Sequence, residues 1–322
     1  MNTIKWQALA LAGVVLVSAF LTRVGVEADR TVDSEAGSEE LASLEESLPQ
    51  EDSSDFFEDS LSFAQVRDAR RAPTRDWDVL DPQVSAEAVL IQSLDGAFPF
   101  YHSRTYAVWP TASLTKLLTA VVVLEEIGEN RKITITERAV ATEGIAGNLR
   151  DGEIYSAQDL LKIMLLTSSN DAAVAFEDHA GGQDEFVRLM TRKARELGMS
   201  NTLFYDGTGL SDLNSSTASD LLRLLRYIVE TYPQILQWTR IPGFLVQPIN
   251  DIDSREVRNI NPLVNNLEFL GGKTGTSPRA RENLISLFSL GQHRIVMIIL
   301  GSRDRAAESE KLLSWARKAY GL

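Results

Sequence analysis

Alternating apolar patterns stand at both ends of one long helical middle, and that arrangement limits the folds open to this chain. Residues 89–94 and 98–101 alternate around Asp95-Gly96, a dipeptide that favours the tight turn of a two-strand hairpin. Residues 283–290 and 295–300 repeat the pattern around Gly291-Gln292. Between them the apolar spacing is helical, over 114–126, 157–166, 171–179, 183–197 and 218–230. In the last segment Leu221, Leu224, Leu225 and Ile228 share one face, and Thr217 with Asp220 reads as a capping box. A final helix is expected from about residue 305 to residue 320. The expectation is an α+β fold. One antiparallel sheet, formed from both ends of the domain, is flanked by helices, with a helical subdomain inserted from the middle and a cleft between the lobes.

Upstream of that domain the sequence changes character twice. The run from residue 6 to 21 is almost wholly apolar, follows Lys5 and precedes Arg23, so residues 1–26 read as a signal peptide or an N-terminal membrane anchor. Val17-Ser18-Ala19 offers small residues of the kind a signal peptidase accepts. Either reading puts the rest of the chain outside the cytoplasm, in the cell envelope. Residues 27–75 form an acidic linker whose composition buries too little surface to offset ordering entropy. As a flexible tether it spans about 40 Å. The catalytic domain is expected over residues 76–322.

The net charge of −13 belongs almost entirely to the linker, because residues 27–60 hold thirteen Asp or Glu and one Arg. The remainder is close to neutral, with no basic face of the kind that binds nucleic acid. Cysteine is absent, which excludes disulfides and thiolate nucleophiles, and the three histidines lie far apart without ligand spacing. No metal and no cofactor is expected.

Three short motifs carry chemistry. Ser113-Leu114-Thr115-Lys116 opens the first helical run, where free amide hydrogens and the positive end of the dipole favour negative charge. Lys116 lies one turn from Ser113, within reach of its hydroxyl. To act as a base that amine must be neutral part of the time, which requires burial and a nearby positive charge, and Lys273 is the candidate neighbour. Ser168-Ser169-Asn170 and Lys273-Thr274-Gly275 follow in order. A Ser-x-x-Lys match alone occurs by chance in a chain this long, leaving a plain helix cap and a surface lysine as the alternative.

In order and content the three motifs resemble those of penicillin-binding proteins and active-site-serine β-lactamases. Residues 110–120, 165–173 and 201–210, with Ser216-Thr217 and Asp220-Leu221, are most similar to the low-molecular-mass D-alanyl-D-alanine carboxypeptidases, and the similarity runs from about Trp77 to the C-terminus. The resemblance implies that Ser113 is acylated, Lys116 is its base and Ser168 relays a proton to the leaving amine. It implies that Asn170 orients the substrate amide and Lys116. Lys273, Thr274 and Gly275 with Thr276 would bind the substrate, Lys273 and Thr274 holding its terminal carboxylate, and the amides of Ser113 and Thr276 would form the oxyanion hole. Substrates would be peptidoglycan stem peptides, and β-lactams covalent inhibitors.

Two departures stand out. Ser169 occupies a position usually Gly in that family, and Arg281 stands where a Gly is usual, leaving Arg279 and Arg281 as solvated loop charges or as contacts for substrate anions. A D,D-endopeptidase of the same family uses the same residues. A class A β-lactamase is disfavoured, since no Glu-x-x-Leu-Asn occurs in the chain, so slow release from penicillin is expected. A non-catalytic peptidoglycan-binding scaffold is the remaining alternative. The family's β-rich C-terminal appendage is not expected after the last helix, which leaves any membrane attachment to the N-terminus.

Overall fold

A computed structural model describes residues 73–144 and 147–322. The expected signal or anchor, and the linker up to residue 72, lie outside the described residues. Residues 73–322 fall within one structural unit. After β1 (Ala88–Ser93), β2 (Pro99–Ser103) and β3 (Trp109–Pro110), a single 3-10 turn at Ala112–Thr115 runs into α1 (Lys116–Val122) and a π turn at Val123–Ile127. The middle contains β4 (Lys132–Thr134), α2 (Glu137–Val140), β5 (Ile154–Ser156), α3 (Ala157–Thr167), α4 (Asn170–His179) and α5 (Gln183–Glu196). Next come β6 (Ser215–Ser216), α6 (Ala218–Thr231), α7 (Gln234–Arg240), β7 (Gly243–Val246) and β8 (Arg255–Arg258). The chain closes with β9 (Phe269–Ser277), β10 (Arg281–Leu290), β11 (His293–Ser302) and α8 (Arg305–Tyr320).

The main sheet has the order β2-β1-β11-β10-β9 and is antiparallel throughout, so strands from the two ends meet at its centre, where Ala88 pairs with Leu300. This is the sheet expected from the two hairpins. Its strands are buried on both faces. Leu90, Ile285 and Ile298 pack into the core of the helical lobe, whereas Val89, Ile91, Met297 and Ile299 pack with Leu312 and Trp315 of α8. Burial on both sides explains why β11 reads as a nearly unbroken apolar run.

The predicted helices are present to within a residue or two, and α2, α7 and the pairs β4–β5 and β7–β8 add to them. Only half of the predicted capping box forms. Thr217 accepts a hydrogen bond from the Asp220 amide at 3.0 Å, but the Asp220 carboxylate turns away to accept from Asn201 N and Thr202 Oγ1. It thereby ties α6 to the loop that follows α5.

Candidate active site

Ser113 lies in the 3-10 turn ahead of α1, directly after Ala112, whose φ of 46° places a non-glycine residue in the left-handed region. Such backbone costs on the order of 1–3 kcal/mol and persists only where its surroundings enforce it. Here the loop at Gly209 does so. With φ of 83°, Gly209 packs so closely that an added Cβ would lie 2.0 Å from the Ala112 carbonyl oxygen. Gly275 of β9 approaches from another side, where a Cβ would lie 2.8 Å from Thr111 O and 3.2 Å from the amides of Ser113 and Leu114. The turn bearing the hydroxyl is held between two glycines.

Lys116, fully buried, directs its Nζ to three oxygens: Ser113 Oγ at 3.1 Å, Asn170 Oδ1 at 2.7 Å and the carbonyl of Thr208. Thr208 and Asn170 present only acceptors here, so a neutral amine spends its two N–H groups on them and turns its lone pair toward the Ser113 hydroxyl. Burial lowers the Lys116 pKa to about 7, outweighing the carboxylates of Asp206, Asp171 and Glu177, which raise it. Burial was expected, but the second expected cause, the charge of Lys273, does not contribute. The structure differs in the direction of that influence. Lys273, also buried, is pushed well below the usual lysine range by desolvation first, then by the charges of Lys116 and Arg305.

Ser168 and Asn170 share a sharp corner. Ser168 ends α3 in the left-handed conformation, φ 60°, and Ser169 starts α4 by accepting a hydrogen bond from Ala172 N at 2.9 Å. Lys273 Nζ donates to Ser168 Oγ at 3.0 Å and to Thr274 O at 2.8 Å. Asn170 is fixed by its own Nδ2, which donates to Glu143 O at 2.9 Å. The Ser169 hydroxyl is engaged with Asp171, whose two carboxylate oxygens each accept from Gly147 N at 3.0 Å. That cap is a use for the hydroxyl at a position where Gly was expected.

The predicted site residues therefore gather in one place: Ser113, Lys116, Ser168 and Asn170 on the helical side, and Lys273 to Thr276 on the edge strand β9. Two groups at the site carry no mark in the three motifs: Arg305, and Asp206 within the 201–210 segment. Arg305 Nη1 donates to Gly275 O at 3.0 Å and to Thr276 Oγ1 at 2.5 Å, setting a guanidinium at the end of the Lys-Thr-Gly strand. Asp206 accepts from the amides of Thr208, Gly209 and Ser211 at 2.9, 2.6 and 2.7 Å, and so aims the Thr208 carbonyl at Lys116. The segment 201–210 carried the family resemblance, but only an Asp two residues ahead of Thr-Gly, a common turn pattern, hinted at the role of Asp206.

Arg281 is not a solvated charge. It adopts φ 54°, where Gly is at ease, pairs with Glu87 and stacks 5.1 Å from the centre of the Trp109 ring. The packing accounts for an arginine in that conformation. Arg279 is exposed.

Fold and site together define an active-site-serine DD-peptidase architecture of the penicillin-binding-protein and β-lactamase-like type. The D-alanyl-D-alanine carboxypeptidase family, peptidase family S11, matches residues 77–304, and the chain belongs to it. A D-alanyl-D-alanine endopeptidase of Pseudomonas aeruginosa is 32% identical over 265 residues, covering 80% of this chain and 84% of the relative. The D-alanyl-D-alanine carboxypeptidase DacC of Escherichia coli is 32% identical over 259 residues, covering 74% of this chain and 63% of the relative. Among solved structures, a D-alanyl-D-alanine carboxypeptidase from Mycobacterium tuberculosis superposes with a TM-score of 0.69 at 26% identity, covering 76% of this chain and 96% of that one.

Proposed function

We propose that this protein is a serine D-alanyl-D-alanine carboxypeptidase that trims peptidoglycan stem peptides outside the cytoplasm through an acyl-enzyme on Ser113. The observation that carries the reading is the environment of Lys116: a buried amine with a pKa near 7, two acceptors fixing its N–H groups and the third direction open to Ser113.

In this mechanism Lys116 takes the Ser113 proton as Oγ attacks the carbonyl of the penultimate D-alanine. Negative charge develops on the carbonyl oxygen near the amides of Ser113 and Thr276, a reading supported by Gly275, the neighbour of Thr276, packing close to the Ser113 amide. Ser168, hydrogen-bonded to Lys273, relays the proton that Lys116 took from Ser113 to the departing D-alanine amine, so that both Lys116 and Ser168 return to their starting protonation. Lys273, Thr274 and Thr276, with Arg305 behind them, hold the terminal carboxylate, and water then releases the acyl group. A β-lactam, which carries a carboxylate near its scissile amide, would acylate the same hydroxyl and leave slowly. Residues 1–26 would deliver the domain to the envelope or anchor it there.

A second reading is endopeptidase action on cross-links between D-alanine and a diamino acid. It is favoured by relatives named D-alanyl-D-alanine endopeptidase from Pseudomonas aeruginosa and Escherichia coli, 32% and 30% identical. Mass spectrometry of defined muropeptides incubated with the protein decides between them. Release of free D-alanine from monomers supports the first, conversion of dimers to monomers the second, and neither product from any muropeptide rejects both. Ser113→Ala must abolish whichever product appears; a non-catalytic scaffold predicts no effect.

A further inference from the structure

We propose that Glu177 is a positioning residue for the base: clamped by Arg138, its buried carboxylate holds the backbone at Gly207 so that the next carbonyl, that of Thr208, stays against Lys116. The inference rests on the peptidase reading above and adds to it a residue from outside the three motifs.

Glu177 lies on α4, two turns beyond Asn170, and is only 1% exposed. Its Oε1 accepts from Gly207 N at 2.8 Å, across 30 positions of chain, and its Oε2 accepts from Arg138 Nη2 at 3.0 Å. Burying a carboxylate is costly, and a buried ion pair is weak evidence of a stabilising role. Fastening α2 to α4 does not require it either, because the neighbouring Asp178 already accepts from Arg138 Nε at 2.6 Å and from Thr136 Oγ1. What Glu177 adds is an acceptor for the Gly207 amide.

Gly207 is held from three sides. Its N–H donates to Glu177, its carbonyl accepts from Thr119 Oγ1 at 2.6 Å, and it packs on the Phe186 ring of α5, where an added Cβ would lie 3.0 Å from Cε1. Asp206 takes the Thr208 amide at 2.9 Å, which fixes the turn from within. Glu177 ties that turn to α4, whose first residue, Asn170, is the other acceptor of Lys116 Nζ. Both oxygens that occupy the N–H groups of the base are thereby referred to one helix. A rigid element positions such groups more closely than a loop can.

The charges that bear on this corner are those of Lys116 from α1, Arg138 from α2, Asp206 from the loop, and Asp171 and Asp178 on α4 itself; α5 meets it with the Phe186 ring. Burial holds the Glu177 carboxyl above the usual carboxylate range, against the pull of the Gly207 amide and Arg138. In its charged form it raises the Lys116 pKa, so a neutral replacement lowers it.

The test is acylation by a labelled penicillin, followed from about pH 5.5 to about pH 9 in the full-length protein, with Tm recorded for every variant. Glu177→Gln keeps an acceptor for Gly207 without the charge: the plateau rate at high pH is expected to stay within about twofold of native, and the midpoint to move about half a unit to lower pH. Glu177→Leu removes the acceptor as well, and its plateau is expected to fall about tenfold. A residue with only a structural role would lower Tm and leave the folded protein's rate and midpoint native; that result overturns the proposal. So does a Glu177→Gln plateau as low as that of Glu177→Leu, because the acceptor is then not what counts. Should Glu177→Leu fail to fold, Arg138→Gln decides, since that side chain is 46% exposed. Loss of the clamp is expected to lower the plateau about threefold, an effect absent in the Glu177→Gln background, and a native plateau overturns the proposal. Failure of penicillin to label the native protein overturns the peptidase reading, and the positioning role with it.

Discussion

The carbonyl oxygen of Thr208 accepts a hydrogen bond from Lys116 Nζ, although the two residues are 92 positions apart in the chain. This contact gives Asp206, which never touches Ser113, a measurable influence on the chemistry. Its carboxylate aims the carbonyl and also raises the Lys116 pKa. Replacing Asp206 by Asn puts an N–H₂ among amide donors and removes a negative charge. We expect penicillin acylation to slow, and the midpoint of its pH profile to move to lower pH, because the lysine loses a stabilising anion. An unmoved midpoint would show that the loop has only a structural role.

The pH dependence of the native protein follows from Lys116 itself. Acylation needs the neutral amine, so its rate should rise about tenfold per pH unit below 7 and level off above it. The stability consequence has a definite sign. An unfolded lysine holds its proton up to about 10.4, whereas the folded one releases it near 7, so between these values the unfolded state binds more protons. Stability should therefore climb with pH across that window. Denaturant melts of the native chain and of Lys116→Met, compared from pH 7 to 10, should differ in slope; identical slopes would contradict the buried amine.

Much of this was readable in advance. The hairpins around Asp95-Gly96 and Gly291-Gln292, the helices and the three motifs are local signals, each written in spacing over a dozen residues or fewer. What was not readable depends on contacts between distant segments. Nothing near Arg305 in the sequence marks it as a neighbour of Thr276, and nothing near Thr208 points to Lys116. Burial of Lys116 was a stated requirement of the Ser-x-x-Lys pattern, but the opposing carboxylates of Asp206, Asp171 and Glu177 lie in distant segments and left no local mark. Short pairs such as β4–β5 and β7–β8 carry too few residues to show a period of two.

Gly209→Ala isolates the backbone of the nucleophile turn. The new methyl would collide with the Ala112 carbonyl and would also have to occupy φ 83°. A loss of about 1–3 kcal/mol is expected, read as a Tm lower by several degrees, with a larger fall in acylation rate because Ala112 directly precedes Ser113. A variant with native Tm and native acylation would remove Gly209 from the account.

Arg305→Gln tests the carboxylate end. KM for a D-Ala-D-Ala peptide should rise about tenfold. The native protein should discriminate against the same peptide with an amidated C-terminus, and the variant should largely lose that discrimination. Unchanged discrimination would place the carboxylate elsewhere.

The pairing of Ala88 with Leu300 has a consequence for biosynthesis. While the chain is still emerging, β1 and β2 on one side and β9 and β10 on the other share no strand until β11, which follows all four in the sequence, joins them. Alignment of the two halves of the site thereby waits for β11, and contacts of such long sequence separation slow folding. A nascent or prematurely terminated chain that stops before β11 carries Ser113 and Lys273 but no common sheet to align them.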